Sequence, residues 1–198
     1  MTFLKMLESI RSPLGEQLAA AVTLLGEETF FMLVGLALVW CFDKRWGFRL
    51  LFVGLTGTVL NQLLKAVFLI PRPWVIDPEF TIVEAARAGA TGYSFPSGHT
   101  QSAVCVLGML ALWVRDRVFT VLCVLGILAV AFSRMYLGVH TPLDVGVSLV
   151  TGAATVAVMP RLFDRAEASV RGRRCMAAGL MGFALLLLLY VLFWPRRE

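Results

Sequence analysis

The stretch "PSGHTQSAVCVLGMLALWV", residues 96–114, joins a polar turn to a mostly apolar run. The run over residues 98–114 is close to the length of about 20 residues that an α-helix needs to cross a bilayer. A serine directly before such a run is a favoured helix N-cap. The stretch therefore predicts a membrane helix whose first turn, with its histidine, lies at the membrane surface.

The composition extends this prediction to the whole chain. Of its 198 residues, 59% are hydrophobic and 16% are charged, whereas a soluble domain has about 25% charged residues. The cysteines lie singly in or beside apolar runs, without the paired spacing of a disulfide framework or a zinc site. The net charge of +5 comes from short basic segments between apolar runs, which is typical of membrane topology and not of nucleic-acid binding.

Apolar runs of suitable length recur along the chain and predict an all-α, polytopic membrane protein with six transmembrane helices. The first run is interrupted by Glu27 and Glu28, whose carboxylates would be costly in hydrocarbon. We therefore expect an interfacial helix over residues 14–25 and a first span that begins near Glu28; a single tilted helix is the alternative. The other five spans are expected at about 50–68, 98–114, 118–135, 142–159 and 175–194.

The first twelve residues predict a short amphipathic helix in the membrane interface, with Phe3, Leu7 and Ile10 on one face. The remaining segments predict the topology. Ten of the eighteen lysines and arginines fall in the connecting segments 43–49, 115–117 and 160–174, which the positive-inside rule places in the cytoplasm. Segments 69–97 and 136–141 then face outward, in a single domain of residues 1–198.

Three cations lie on the outward side, where the topology rule expects few. Lys65, Arg72 and Arg134 would each cost about 2.5 to 3.5 kcal/mol near bilayer depth, and only Asp144 in these motifs offsets them. Converging cations with one carboxylate predict a binding site for an anion such as a phosphate. The alternative is that each cation reaches the lipid headgroups separately.

The turn before residue 98 adds donors to this anion site. Ser97 can cap the helix and donate from its hydroxyl, and Gly98 lets an anion approach the free backbone N–H groups at the helix start. A plain serine cap beside an interfacial His99 is the simpler alternative.

The segment "HTPLD", residues 140–144, opens the fifth span. Asp144 suits a capping box with Thr141. It also lies four residues after His140, where its carboxylate can orient the imidazole and leave Nε2 free as a nucleophile. A metal site is disfavoured because three cations are nearby and no further ligand is evident.

Taken together, these motifs resemble the type 2 phosphatidic acid phosphatase superfamily of membrane lipid phosphatases. The family pattern KxxxxxxRP, PSGH and SRxxxxxHxxxD is matched at every position, in the segments 65–73, 96–99 and 133–144. The resemblance implies that His140 attacks phosphorus, that Asp144 orients it and that His99 is the general acid. It assigns the phosphoryl oxygens to Lys65, Arg72, Ser97, Gly98 and Arg134, and it implies no metal or other cofactor.

The expected function is metal-independent hydrolysis of a lipid phosphate or diphosphate at the outer membrane face. The short chain resembles the bacterial branch of the family, which implies a multi-pass protein of the cytoplasmic (inner) membrane acting on undecaprenyl diphosphate or phosphatidylglycerol phosphate. The expected partners are lipids, with no protein or nucleic acid. A non-catalytic lipid-phosphate transporter using the same anion pocket is the alternative, although few polar groups lie within the spans.

Overall fold

A computed structural model describes residues 1–193, except for the side chains of residues 187, 190, 191 and 193. These residues form helices and connecting loops, with no β-strand among them. The α-helices are α1 Thr2–Ser9, α2 Pro13–Thr23, α3 Glu28–Ala37, α4 Lys44–Phe68, α5 Pro73–Ile76, α6 Gly98–Val114, α7 Arg117–Tyr136, α8 Pro142–Glu167 and α9 Val170–Phe193. A π-helical turn, Leu38–Phe42, extends α3.

Three segments of the described chain are long and apolar enough to cross a membrane, namely Lys44–Ile76, Arg117–Tyr136 and Pro142–Glu167. The pair Pro13–Gly26 and Glu28–Phe42, bent by 49°, makes a fourth if it is one broken span. Helix α6 is apolar but shorter than these segments. The last predicted span, 175–194, ends at Trp194, which lies outside the described residues. The protein is thus a helical membrane protein, and the count of six spans stays a prediction.

The predicted break near Glu28 is confirmed. Helix α2 ends at Thr23, a 3-10 turn covers Leu24–Gly26, and Glu27 adopts an extended conformation before α3. Glu28 is in the first turn of α3, where a carboxylate interacts favourably with the helix dipole. The alternative of one continuous tilted helix is not observed.

The predicted N-terminal helix is present as α1, and its location in the membrane interface stays a prediction. Leu4 and Leu7 are the buried residues of α1, whereas Phe3 and Ile10 are exposed. Tertiary contacts set this rotation, because the guanidinium of Arg11, just after α1, donates to the carbonyl of Tyr136 at the end of α7 (2.9 Å).

The expected connecting segments 43–49 and 160–174 are largely helical. Asp43 caps α4 by accepting the backbone N–H of Arg45 (3.0 Å), so this helix begins at Lys44. Helix α8 continues through Pro160 to Glu167, and Glu167 pairs with the Arg45 guanidinium (2.7 Å). These charges extend both helices beyond the apolar runs.

Helix α6 packs against α4, α7 and α8. Its buried residues Cys105, Val106 and Met109 share an apolar core with Phe31 of α3 and Leu50 of α4. The first turn of α6 therefore lies at one end of the helix bundle, close to the end of α4 and the start of α8.

Candidate active site

A cavity of about 410 Å³ lies at this end of the bundle. Five of the eight predicted site residues line it: Lys65, Arg72, Gly98, His99 and His140. The other three, Ser97, Arg134 and Asp144, are at most 1% exposed and contact or electrostatically influence the residues around the cavity. The structure thus brings together residues that are up to 79 positions apart in the chain.

Arg72 is the most extensively bonded of the cations. Its guanidinium donates to the backbone carbonyls of Thr91 (2.8 Å), Gly92 (3.0 Å) and Val139 (2.9 Å). It also lies 3.0 Å from Nε2 of His140. This arginine therefore ties the outer loop, the turn before α8 and the imidazole to one another, an anchoring role that the motif pattern does not predict.

The contact with Arg72 determines the tautomer of His140. A guanidinium can only donate, so Nε2 must accept and the ring proton is on Nδ1. Complete burial lowers the pKa of His140 well below 6.5, and the nearby Arg72 and Arg134 lower it further. His140 therefore has an unprotonated Nε2 at the cavity.

Asp144 interacts with His140 from the other side of the ring. Its Oδ2 is 3.5 Å from Nδ1 of His140, which is longer than a full hydrogen bond. The same oxygen accepts from Ser94 Oγ (2.6 Å) and from the backbone N–H of Thr141 (2.8 Å). The predicted capping box with Thr141 is present. The sequence did not predict the role of Ser94, although it lies three residues before Ser97 in the same polar turn.

Ser97 is the N-cap of α6, as expected. Its Oγ accepts from the backbone N–H of Thr100 (3.4 Å) and lies 3.0 Å from the Thr100 hydroxyl. The Ser97 hydroxyl therefore caps the N-terminus of α6 and does not line the cavity. Gly98 and His99 do line it, with the ring of His99 next to Gly89 of the outer loop.

Lys65 and Arg134 have free hydrogen-bonding capacity. Among residues 1–193, the side-chain ammonium of Lys65 has no hydrogen-bond or close ion-pair partner, although its backbone carbonyl accepts from Leu69. Arg134 donates from Nη1 to Thr23 Oγ1 (2.8 Å), while its buried Nε and Nη2 have no partner there. Thr23 precedes the bend before α3, and no motif pointed to it. Buried guanidinium nitrogens without a partner are costly, so these cations favour an incoming anion.

The described residues contain no group of three or more His, Cys, Asp or Glu side chains that could hold a metal ion. The groups that could stabilise negative charge in this cavity are the two arginines, the lysine and the backbone amides at the start of α6. The expected absence of a cofactor stays a prediction.

Comparisons with known proteins agree with the resemblance in the motifs. Residues 46–168 match the model of the PAP2 superfamily. Phosphatidylglycerophosphatase B of Bacillus subtilis is 29% identical over 153 residues, which cover 69% of each chain. Undecaprenyl-diphosphatase BcrC of the same organism is 37% identical over 98 residues, 49% of this chain and only 47% of that relative.

The fold is similar to a solved structure as well. The crystal structure of the transmembrane PAP2 type phosphatidylglycerolphosphate phosphatase from Bacillus subtilis superimposes with a TM-score of 0.66 and 24% identity. The similarity covers 83% of this chain and 84% of that one. The matched family segment comprises more than half of the chain and contains all eight predicted site residues. The chain therefore belongs to the PAP2 superfamily.

Proposed function

We propose that this protein is a metal-independent membrane phosphatase that hydrolyses a lipid phosphate or diphosphate through a phosphohistidine intermediate. The unprotonated Nε2 of His140, 3.0 Å from Arg72 at the wall of a cationic cavity, is the observation that carries this proposal. An uncharged imidazole nitrogen beside a bound phosphate is positioned as a nucleophile.

In the first step, His140 Nε2 attacks phosphorus and the bond from phosphorus to the leaving oxygen breaks. The negative charge of the bound substrate favours protonated His99, which donates its proton to that oxygen. The oxygen leaves as a lipid alcohol or, from a diphosphate, as a lipid monophosphate. This attack requires that Arg72 has already exchanged Nε2 for a phosphoryl oxygen as its acceptor, which frees the Nε2 lone pair. Lys65, Arg134 and the backbone amide of Gly98 stabilise the other oxygens, the electrostatic role that dominates phosphoryl transfer.

In the second step, water attacks the phosphohistidine and the bond between phosphorus and Nε2 breaks. His99 accepts the proton of the water, and inorganic phosphate leaves. Asp144 stabilises the positive charge on the phosphorylated ring from the Nδ1 side, and Ser94 holds the Asp144 carboxylate in place. Ser97 keeps the α6 amides pointing at the phosphate by capping the helix.

We further propose that the cavity faces outward from a bacterial inner membrane. The opposite end of the bundle has the basic residues that open α4 and α7 and close α8, which the positive-inside rule assigns to the cytoplasm. A lipid substrate then enters sideways from the outer leaflet. Undecaprenyl diphosphate and phosphatidylglycerol phosphate are the candidate substrates, supported by the names of the two Bacillus subtilis relatives.

Phosphate release by the detergent-purified protein tests the activity. We expect hydrolysis of at least one of these lipids, no loss with a chelator, and inhibition by vanadate. His140→Ala should abolish release, and rapid acid-free quenching with a radiolabelled substrate should trap a base-stable phosphoramidate that His140→Ala lacks. Full activity of His140→Ala would contradict the mechanism. A His140→Ala protein that moves lipid across vesicles would favour the transporter alternative.

Labelling in intact cells tests the orientation. A cysteine introduced in the outer loop as Glu79→Cys should react with a membrane-impermeant maleimide. The native Cys41, exposed in the turn before α4, should react only after permeabilisation. The reverse pattern would place the cavity on the cytoplasmic side.

A further inference from the structure

One wall of the cavity is rich in hydrogen-bond acceptors and has no part in the hydrolysis steps above. Asn61 of α4 and the carboxylates of Glu27 and Glu28 at the start of α3 line it. No residue within 1–193 donates a hydrogen bond to either carboxylate side chain. The Asn61 Oδ1 atom is likewise buried without a donor, in a residue that is only 2% exposed. A buried acceptor without a donor is costly unless a ligand supplies one.

The orientation of Asn61 follows from a chain of hydrogen bonds. The backbone carbonyl of Gly57 can only accept, so Gln101 must present Nε2 to it (3.0 Å). Gln101 Oε1 then faces Asn61 Nδ2 (3.0 Å), which also donates to the Pro96 carbonyl (3.4 Å). Asn61 therefore cannot rotate its amide to satisfy Oδ1, and this oxygen is held as an acceptor.

Backbone packing holds the two carboxylates beside the catalytic groups. Gly26 lies directly against the backbone of His99, where a Cβ would be 2.5 Å from the carbonyl oxygen. This contact places Glu27 and Glu28, the next residues, at the cavity. Glu28 interacts electrostatically with Lys65, and Glu27 with Arg134. Neither pair is close enough to be a direct ion pair among the described residues, so the carboxylates stay available to a ligand.

The acceptors are at a suitable distance from the phosphate site. Asn61 precedes Lys65 by four residues on α4, which puts the two side chains on one helix face about one turn, roughly 5.4 Å, apart. This separation is comparable with the reach from a phosphorus atom to a substituent on the carbon next to the ester carbon. The cavity of about 410 Å³ has room for a phosphate and such a small head group.

We propose that Asn61 Oδ1 and the Glu28 carboxylate bind a hydrogen-bond donor, a hydroxyl or an ammonium, on the carbon next to the phosphate ester. They thereby make the protein selective for donor-bearing lipid phosphomonoesters over lipid diphosphates. This inference rests on the proposed phosphatase activity. A diphosphate brings its second phosphate, which has negative charge and no donor, towards Glu27 and Glu28. Specificity of this kind is large because the wrong substrate leaves the buried Oδ1 of Asn61 without a donor.

The test compares three substrates on the full-length protein in detergent micelles. They are phosphatidylglycerol phosphate, its analogue without the head-group hydroxyl, and a polyprenyl diphosphate. For the unmodified protein, kcat/KM should fall at least about tenfold on removal of the hydroxyl, and the diphosphate should also be a poorer substrate. This arm involves no substitution, so the fold is not disturbed.

The exposed Glu28 is then replaced in Glu28→Gln, with Glu79→Gln in the exposed outer loop as the matched control. Glu28→Gln should lower the ratio of kcat/KM for the hydroxyl-bearing substrate to kcat/KM for its analogue without the hydroxyl. It should raise the ratio of kcat/KM for the diphosphate to kcat/KM for the hydroxyl-bearing substrate. Glu79→Gln should change neither ratio. The ratio between substrates is diagnostic, because a merely structural defect lowers all three rates together.

Two results would overturn the inference while the phosphatase stands. One is a kcat/KM that is the same with and without the head-group hydroxyl, in both the unmodified protein and Glu28→Gln. The other is diphosphate hydrolysis that Mg²⁺ stimulates and Glu28→Gln abolishes, because the carboxylates would then hold a cation that bridges to the diphosphate. Release from none of the lipids would overturn the phosphatase itself, and this inference with it.

Discussion

The guanidinium of Arg72 lies 3.0 Å from Nε2 of His140, with the imidazole as acceptor. Arg72 therefore occupies the lone pair that attacks phosphorus in the proposed mechanism, and it holds the ring in the corresponding tautomer. The same guanidinium holds three backbone carbonyls of the surrounding loops. The proposed mechanism therefore couples phosphate binding to the position of the outer loop through this one side chain.

Arg72→Lys should lower kcat/KM by about 100-fold or more. A lysine retains the charge, but its donors share one nitrogen and cannot reproduce the spread of Nε, Nη1 and Nη2, which bind the carbonyls of Gly92, Val139 and Thr91. Phosphate release from a lipid substrate measures the effect. Arg87→Lys is the matched control, because Arg87 is exposed on the same loop, where its guanidinium pairs with Glu84 and lies 5.8 Å from the centre of the Trp74 ring. Equal losses in the two variants would contradict the anchoring role.

The pH dependence of kcat/KM should show where His140 titrates. Burial lowers the pKa of His140 well below 6.5, with Arg72 and Arg134 acting in the same direction and the Asp144 carboxylate opposing them. A group with a lowered pKa keeps its nucleophilic, unprotonated form as the pH falls through 6.5. The acid limb of the pH profile of kcat/KM should therefore lie below pH 6.5, and Asp144→Asn should shift it to still lower pH. An acid limb above 6.5 would contradict the assignment of His140 as the nucleophile.

Thr23→Val should destabilise the protein by about 1 to 3 kcal/mol, since it leaves the buried Nη1 of Arg134 without an acceptor. Thermal unfolding in detergent measures the change, and KM for the lipid substrate should rise because Arg134 is less well positioned. Thr56→Val is the control, because the Thr56 hydroxyl only donates to a carbonyl of its own helix (2.7 Å). If Thr23→Val behaves like Thr56→Val, the Thr23 contact does not position Arg134.

Gly26→Ala should reduce kcat at least about tenfold, because the added methyl group would displace the backbone of His99 and a small misplacement of a catalytic group is costly. Gly179→Ala is the matched control. A Cβ at Gly179, in α9, meets no atom within 4 Å, and alanine stabilises a helix relative to glycine. Unchanged kcat in Gly26→Ala would show that the bend before α3 does not position His99.

The sequence predicted those features that depend on residues close together in the chain. The break at Glu27, the serine cap of α6 and the capping box of Asp144 each follow from a few neighbouring residues and are present in the structure. The runs 98–114 and 118–135 coincide closely with α6 and α7, because apolar runs of this length favour buried helices. The motif spacing also predicted five of the residues that line the cavity.

Only the tertiary structure decided which of these residues contact one another. The rotation of α1, the carbonyl contacts of Arg72, the Thr23 partner of Arg134 and the fixed amide of Asn61 join positions between 19 and 125 residues apart. Such contacts depend on the packing of α6 against its neighbours and leave no periodic signal in the sequence. The physical reason is that local patterns report the preferences of one or two helical turns, whereas a buried polar group takes its partner from whichever helix the fold brings beside it.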